Sequence, residues 1–269
     1  MFEYVIIFIL GTIIGSFLNA VIWRIHASQS VVRGRSKCVR CTHELSPGDL
    51  IPIVSFVLLG GRCRYCKKAI SWQYPLVEFG MGILFVLSYA HFFGSVSGGI
   101  VQALLLGSDM GAIAALVRVL VFFAVLTVLF VYDARWGLVP DSVTLPAIPI
   151  ALLINLFVFS SPWVSLLVAG LVGGGFFTLQ YVVSKGVWIG GGDIRLGALM
   201  GVMLGFPEIL YALFIAYSVG ACVAIVLLSL KKKGMKSEMP FGPFLCGATA
   251  IMLLYGEQII NFAHRFFLY

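Results

Sequence analysis

The sequence predicts an all-α polytopic membrane protein with about eight transmembrane helices and one small polar loop domain. Mean hydropathy is +1.06. Only 11% of the 269 residues are charged, while 61% are hydrophobic. Apolar runs near twenty residues recur from end to end, the length a helix needs to cross a hydrocarbon core of about 30 Å. The expected organisation is a first transmembrane helix over 1–23, a loop domain over 24–72 and a transmembrane domain over 73–269.

The first span runs from Tyr4 to Trp23 with no positive segment ahead of it and Arg24 behind it, which predicts a retained span rather than a cleaved signal peptide. Further spans are expected near 74–93, 111–132, 143–159, 163–184, 190–206, 208–230 and 242–258. Ser95 to Asp109 is apolar but glycine-rich, and fits either an interfacial segment or an extension of the third span. Arg118 is expected to snorkel from the outer end of its helix. No internal repeat is visible.

Charge sets the orientation. Residues 24–72 hold nine basic side chains against Glu44 and Asp49, a net +7 that equals the net charge of the whole chain. This loop carries the positive-inside signal and is expected in the cytoplasm, with the N-terminus outside. An even number of spans returns the C-terminus to the outside. Arg135, Lys185 with Arg195, and the Lys231–Lys236 cluster all follow odd-numbered spans, on the side of the basic loop. That cluster reads as a topology anchor that attracts anionic lipid. Location explains the positive charge, so no nucleic-acid partner is expected.

The loop is too small to build its own core and needs a staple. Cys38-Val39-Arg40-Cys41 and Cys63-Arg64-Tyr65-Cys66 are two C-x-x-C pairs separated by 21 residues. Such pairs suit tetrahedral zinc, with Cys38, Cys41, Cys63 and Cys66 as ligands. The alternative is two disulfides or a redox pair, which a reducing compartment disfavours. His43 reads as an exposed neighbour, and Cys222 and Cys246 as buried small hydrophobes.

Acids within or beside spans are costly, which singles out Glu78, Asp109, Asp133, Asp141, Asp193 and Glu208. Asp109 and Glu208 fall at outer ends, where water reaches them. Asp141 in Pro140-Asp141-Ser142 reads as a helix N-cap, and Glu78 as a partner for a basic residue or a substrate contact. Asp133 and Asp193 share a depth on the side of the basic loop, the minimum requirement for two carboxyls that divide one proton. Asp193 follows Gly190-Gly191-Gly192, whose freedom lets a chain bend or another come close. The helix after it, Ile194 to Phe206, rises only about 20 Å, so Asp193 is expected below the membrane surface unless that helix stops short of the outer face. From chemistry alone, an ion-coupled transporter uses such acids equally well, and a non-enzymatic assembly factor can carry them as structure.

Taken in order, the motifs decide between these readings. The chain resembles the bacterial type IV prepilin peptidases, membrane aspartic proteases of the GxGD type. The likeness runs through Gly11-Thr12-Ile13-Ile14-Gly15-Ser16-Phe17-Leu18-Asn19 with Arg24, both C-x-x-C pairs, and Ile70-Ser71-Trp72-Gln73-Tyr74-Pro75-Leu76-Val77-Glu78. It continues through the Asp133 segment ending in Val139-Pro140-Asp141, Gly191-Gly192-Asp193-Ile194-Arg195-Leu196, and Pro240-Phe241-Gly242-Pro243-Phe244. The resemblance implies Asp133 and Asp193 as the catalytic pair of an aspartic peptidase domain over 73–269. It implies prepilin or pseudopilin substrates cut at the inner edge of the bacterial cytoplasmic membrane. It also implies N-methylation of the new terminus with S-adenosylmethionine. No glycine-rich fingerprint marks a methyl-donor site. Two departures stand out: Ala134-Arg135-Trp136 replaces an acidic residue common after the first aspartate, and Arg195 replaces a lysine.

Overall fold

The computed structural model describes residues 2–94, 100, 109–230 and 239–267. Its named elements are all helices, and seven of them are long and apolar enough to cross a membrane. The chain is a multi-pass membrane protein. It divides into two compact units, 1–128 and 129–269. The Lys231–Lys236 cluster and most of the Ser95–Asp109 stretch lie outside the described residues.

In the first unit, α1 (Phe2–His26) and α3 (Gln73–Phe93) form an antiparallel pair, with the short α2 (Val54–Leu58) in the loop between them. Two glycines one turn apart bring the long helices together. A Cβ on Gly11 would meet the Met81 carbonyl at 2.7 Å, and one on Gly15 would meet the Glu78 Cα at 2.7 Å. Lipid tails are as apolar as leucine, so helices in a bilayer associate through this kind of close backbone approach. The pairing is marked by the Asn19 amide donating to the Tyr74 carbonyl at one end, and by the Tyr89 hydroxyl donating to Glu3 at the other. Ile22, Met81, Phe85 and Tyr89 fill the interior. The unit boundary falls inside α4 (Met110–Trp136).

The second unit takes up α4 at Leu129 and continues through α5 (Asp141–Leu153), which runs into a π-helical turn over Ile154–Val158. It is completed by α6 (Trp163–Ser184), α7 (Gly191–Leu204), α8 (Glu208–Ser229) and α9 (Gly242–Phe267). α6 and α7 are the closest pair. Gly173 faces Gly197, and Gly201 faces the Ala169 carbonyl, with no room for a Cβ at any of the three glycines.

Among the described residues, eight long segments are helical where eight spans were expected, but only seven meet the length of a span; α7 has 14 residues. Its C-terminal end is closed inside the protein. The Asn155 amide, 2% exposed in the π turn, donates to the carbonyls of Val202 at 2.7 Å and Met203 at 3.3 Å. The Ser165 hydroxyl accepts the Phe206 N–H at 2.9 Å. Backbone groups that end a helix away from water need such partners.

Candidate active site

Asp133 lies in the last turn of α4 and is 5% exposed. The helix stops just beyond it because Gly137 takes φ +65° and returns its N–H to the Asp133 carbonyl at 2.8 Å. The side chain reaches the start of α9, where Oδ2 accepts the Gly242 N–H at 2.8 Å. A Cβ at position 242 would sit 2.6 Å from that oxygen. Glycine is therefore what allows the carboxylate onto the unpaired N–H groups of a helix N-terminus.

Asp193 occupies the first turn of α7 and reaches back over it. Its Oδ2 accepts the Gly190 N–H at 3.3 Å, while its own N–H donates to the Gly190 carbonyl at 3.1 Å. Of the three glycines, only Gly192 is sterically demanded, since a Cβ there would lie 2.8 Å from the Val139 Cβ; nothing stands near Gly191. The segment that links α4 to α5 thus rests against the backbone that carries Asp193. In the α6–α7 register set by Gly173 and Gly197, Asp193 falls opposite Phe177. That is about 10 Å short of the end of α6 at 1.5 Å per residue. The short helix therefore recesses its aspartate.

The two carboxyls belong to the same unit, Asp133 at the end of α4 and Asp193 at the start of α7. Cys246, one turn after Gly242, is buried. Tyr217 exchanges hydrogen bonds of 2.8 and 3.0 Å with Gln180 and packs against Phe241 at 4.8 Å between ring centroids. Asp141 is the first residue of α5, and Pro140, not Asp141, holds the N-cap position. The Asp141 carboxylate instead grips Arg195 through two contacts of 2.7 Å. The arginine that departs from the resemblance thereby ties the start of α5 to α7.

In the first unit the four cysteine sulfurs lie within 4.8 Å of one another, with Cys38 and Cys66 at 4.0 Å. Tetrahedral zinc holds sulfurs about 3.8 Å apart, whereas a disulfide needs about 2.05 Å. The cluster could hold a metal ion. Both knuckles have one shape: Cys38 N–H to the His43 carbonyl and Thr42 N–H to the Cys38 carbonyl recur as Cys63 to Lys68 and Lys67 to Cys63. Thr42 and Lys67 both take φ +59°. A structural repeat is thus present where the sequence shows only the cysteines. Asp49, whose side chain is 3% exposed, joins the parts by accepting from Arg64 at 2.6 Å and from Ser46. Burial works to raise the Asp49 carboxyl, but the Arg64 and Ser46 hydrogen bonds outweigh it and hold it below the usual carboxylate range. His43 is exposed, as expected, yet stacks on Tyr65 of the second knuckle at 3.7 Å.

The family profile described as Bacterial Peptidase A24 N-terminal domain matches residues 9–92, and that of the Type IV leader peptidase family matches residues 120–225. A prepilin leader peptidase/N-methyltransferase from Pseudomonas putida is 30% identical over 281 residues, covering 93% of this chain and 90% of its own. The chain belongs to the prepilin leader peptidase/N-methyltransferase family. Its namesake in Bacillus subtilis (strain 168) is 28% identical over 257 residues, with 96% of each chain covered. That of Pseudomonas aeruginosa is 29% identical over 278 residues, with 93% and 90% covered. No solved structure matches.

The leader peptidase profile spans both aspartates, and the N-terminal profile spans the cysteine cluster and Glu78. Glu78 does not pair with a basic residue among the described residues. Its Oε2 accepts the Ile53 N–H at 2.7 Å, and Ser16 is its other partner. Cys222, expected buried, is exposed on α8; Cys246 is buried as expected. Gln180 and Asn155 escaped the sequence reading, and Gly242 stood out only within the Pro240–Phe244 motif. The two amides carried a signal, as polar side chains inside apolar helices. A cavity of about 550 Å³ lies in the first unit, lined by Ile13, Ser16, Phe17 and Val21 of α1 and by Leu50 and Pro52. Its charged lining residue, Arg24, is committed to the carbonyls of Val31 and Gly34, and no carboxylate lines it. It does not fit S-adenosylmethionine, which offers ribose hydroxyls and a sulfonium charge.

Proposed function

We propose that the chain is a membrane aspartic endopeptidase that removes the short basic leader of prepilins and pseudopilins, with Asp133 and Asp193 as its catalytic pair. The observation that carries this reading is two carboxyls at separate helix ends of one unit, each holding one backbone N–H. In both, one carboxyl oxygen takes that N–H, which leaves the other to serve water and substrate in this mechanism. The ionised carboxyl accepts a proton as water attacks the scissile carbonyl carbon, and the protonated one gives its proton to the carbonyl oxygen. Collapse of the tetrahedral diol breaks the C–N bond, and the leaving amine takes a proton from the pair.

The basic loop and both aspartates face the cytoplasm of a bacterial cell, across the cytoplasmic membrane, with the termini outside; the +7 loop supports this orientation. A leader that stays in the cytoplasm then meets the pair at the inner membrane edge. Methylation of the new N-terminus with S-adenosylmethionine is proposed from family membership, with no residue assigned. Zinc is proposed as the structural metal of Cys38, Cys41, Cys63 and Cys66 because a tetrathiolate donor set suits it. Chelation is then expected to remove the hydrogen-exchange protection of residues 36–70 and leave that of α6 and α7 unchanged. Unchanged protection in the loop would count against a metal.

The deciding experiment is cleavage of a prepilin in liposomes by wild type, Asp133→Asn and Asp193→Asn, each checked for folding. The expected result is cleavage by wild type alone. A folded variant that cuts at the wild-type rate would remove its residue from the pair. Wild type that cuts no prepilin would favour an assembly or transport role.

A further inference from the structure

Twelve residues, Leu50 to Gly61, separate Asp49 from Arg62 without a single charge, in the midst of the most basic part of the chain. An apolar stretch of this length is too short to span a bilayer and suits an interfacial or re-entrant position. The helix pairing of the first unit gives its depth. Asn19 bonds the Tyr74 carbonyl beside the first residue of α3, and Glu78 lies five residues further in, about 7.5 Å along the axis. Ile53 donates its N–H to that carboxylate at 2.7 Å. Leu50 and Pro52 line a cavity together with Ile13, Ser16 and Phe17 of α1, which lie deeper than Asn19 on the same helix. The middle of the loop therefore descends below the end of α3.

The local geometry is what such a descent needs. Pro52, Ile53 and Val54 make a γ-turn, with Ile53 at φ +60°, ψ −50° and the Val54 N–H closing on the Pro52 carbonyl at 2.5 Å. A branched residue is strained there. The turn points one N–H away from its own segment, and away from water that group requires an acceptor. Glu78 supplies it. α2 then runs for one turn, and Gly60 and Gly61, at φ +59° and +67°, lead the chain back to Arg62. Phe56 packs inward against the Trp72 ring at 5.1 Å, and Trp72, 70% exposed just before α3, has the character of an interfacial belt residue. Val54, Val57 and Leu58 are 50%, 68% and 80% exposed, with no protein neighbour that covers them.

We propose that residues 50–61 form a re-entrant segment in the leaflet beside the basic loop, pinned by Glu78, with Val54, Val57 and Leu58 against lipid acyl chains. The basic residues on either side of it, from Arg33 to Arg40 and from Arg62 to Lys68, suit anionic headgroups at the same surface. An amphipathic segment held this way inserts its apolar face about 5–10 Å into the headgroup and acyl boundary, which agrees with the depth of Glu78.

The test is photocross-linking of the full chain in phosphatidylglycerol-containing liposomes, with p-benzoylphenylalanine in place of Val57 or Leu58. Val39, exposed between the first two cysteines, is the shallow control, and Phe17, exposed on α1, is the acyl-depth control. Lipid adducts at 57 and 58 comparable to those at 17, and none at 39, are expected. Absence of lipid adducts at 57 and 58 while position 17 labels would overturn the proposal. So would adducts at 57 and 58 to protein alone, which would make the face a protein docking surface. Glu78→Gln supplies a second reading through faster amide exchange at residues 53–59; unchanged exchange there would remove Glu78 as the pin.

Discussion

Each unit of the molecule buries a carboxylate in apolar surroundings, and both acids accept one backbone N–H: Glu78 from Ile53 at 2.7 Å, Asp133 from Gly242 at 2.8 Å. By burial and hydrogen bonding they are alike. The difference is their company. Glu78 has Ser16 and the backbone of a strained turn beside it, whereas Asp133 shares its unit with a second acid at the end of a different helix. A buried carboxylate with only donors around it finishes a structure. A second carboxylate nearby is what the proposed sharing of one proton requires.

That contrast can be broken by substitution. Asp133→Asn keeps an acceptor for Gly242 but removes the shared proton, so prepilin cleavage is expected to fall about 10²–10⁴-fold with the thermal midpoint little changed. Gly242→Ala drives a methyl group against Oδ2 and moves the carboxyl; a displacement of that order costs about 10²-fold in the cleavage rate, read in the same assay. Glu78→Gln reverses the pattern. A charge-assisted hydrogen bond is weakened, about 1–2 kcal/mol of stability is lost in thermal denaturation, and cleavage per folded molecule stays at wild type. If Glu78→Gln were as inactive as Asp133→Asn while folded, Glu78 would belong with the acids that serve cleavage. Smallest is Arg195→Lys. The lysine keeps the charge but not the two-point grip on Asp141, and because the pair is half exposed the change in stability is expected below about 1 kcal/mol.

Most of the fold was legible because a bilayer imposes its length on the chain. The span expected at 163–184 coincides with α6, and the others shift by a few residues at most of their ends. The exception is α9. It continues to Phe267 because beyond residue 258 the helix turns amphipathic, with His264 and Arg265, and hydropathy no longer follows it. The aspartates were legible as acids among apolar residues. What supports them was not: Gly242 meets Asp133 from 109 positions away, and Gly192 is required by Val139, a contact that no local pattern encodes. Asp141 looked like an N-cap because its neighbours form a good helix start, but the competing attraction of Arg195 was invisible before folding placed α7 beside it.

The shortness of α7 bears on the solvent around the site. Fourteen residues rise about 20 Å, some 10 Å less than an average hydrocarbon core. Asn155 and Ser165 satisfy the backbone at the far end of this helix, and at the near end Asp193 lies about 10 Å short of the end of α6. Such a mismatch is met by a thinner bilayer or by a funnel of water leading inward. With Asp133 and Asp193 as the proposed pair, hydrolysis, which consumes one water per peptide bond, would draw that water from the Asp193 end of α7.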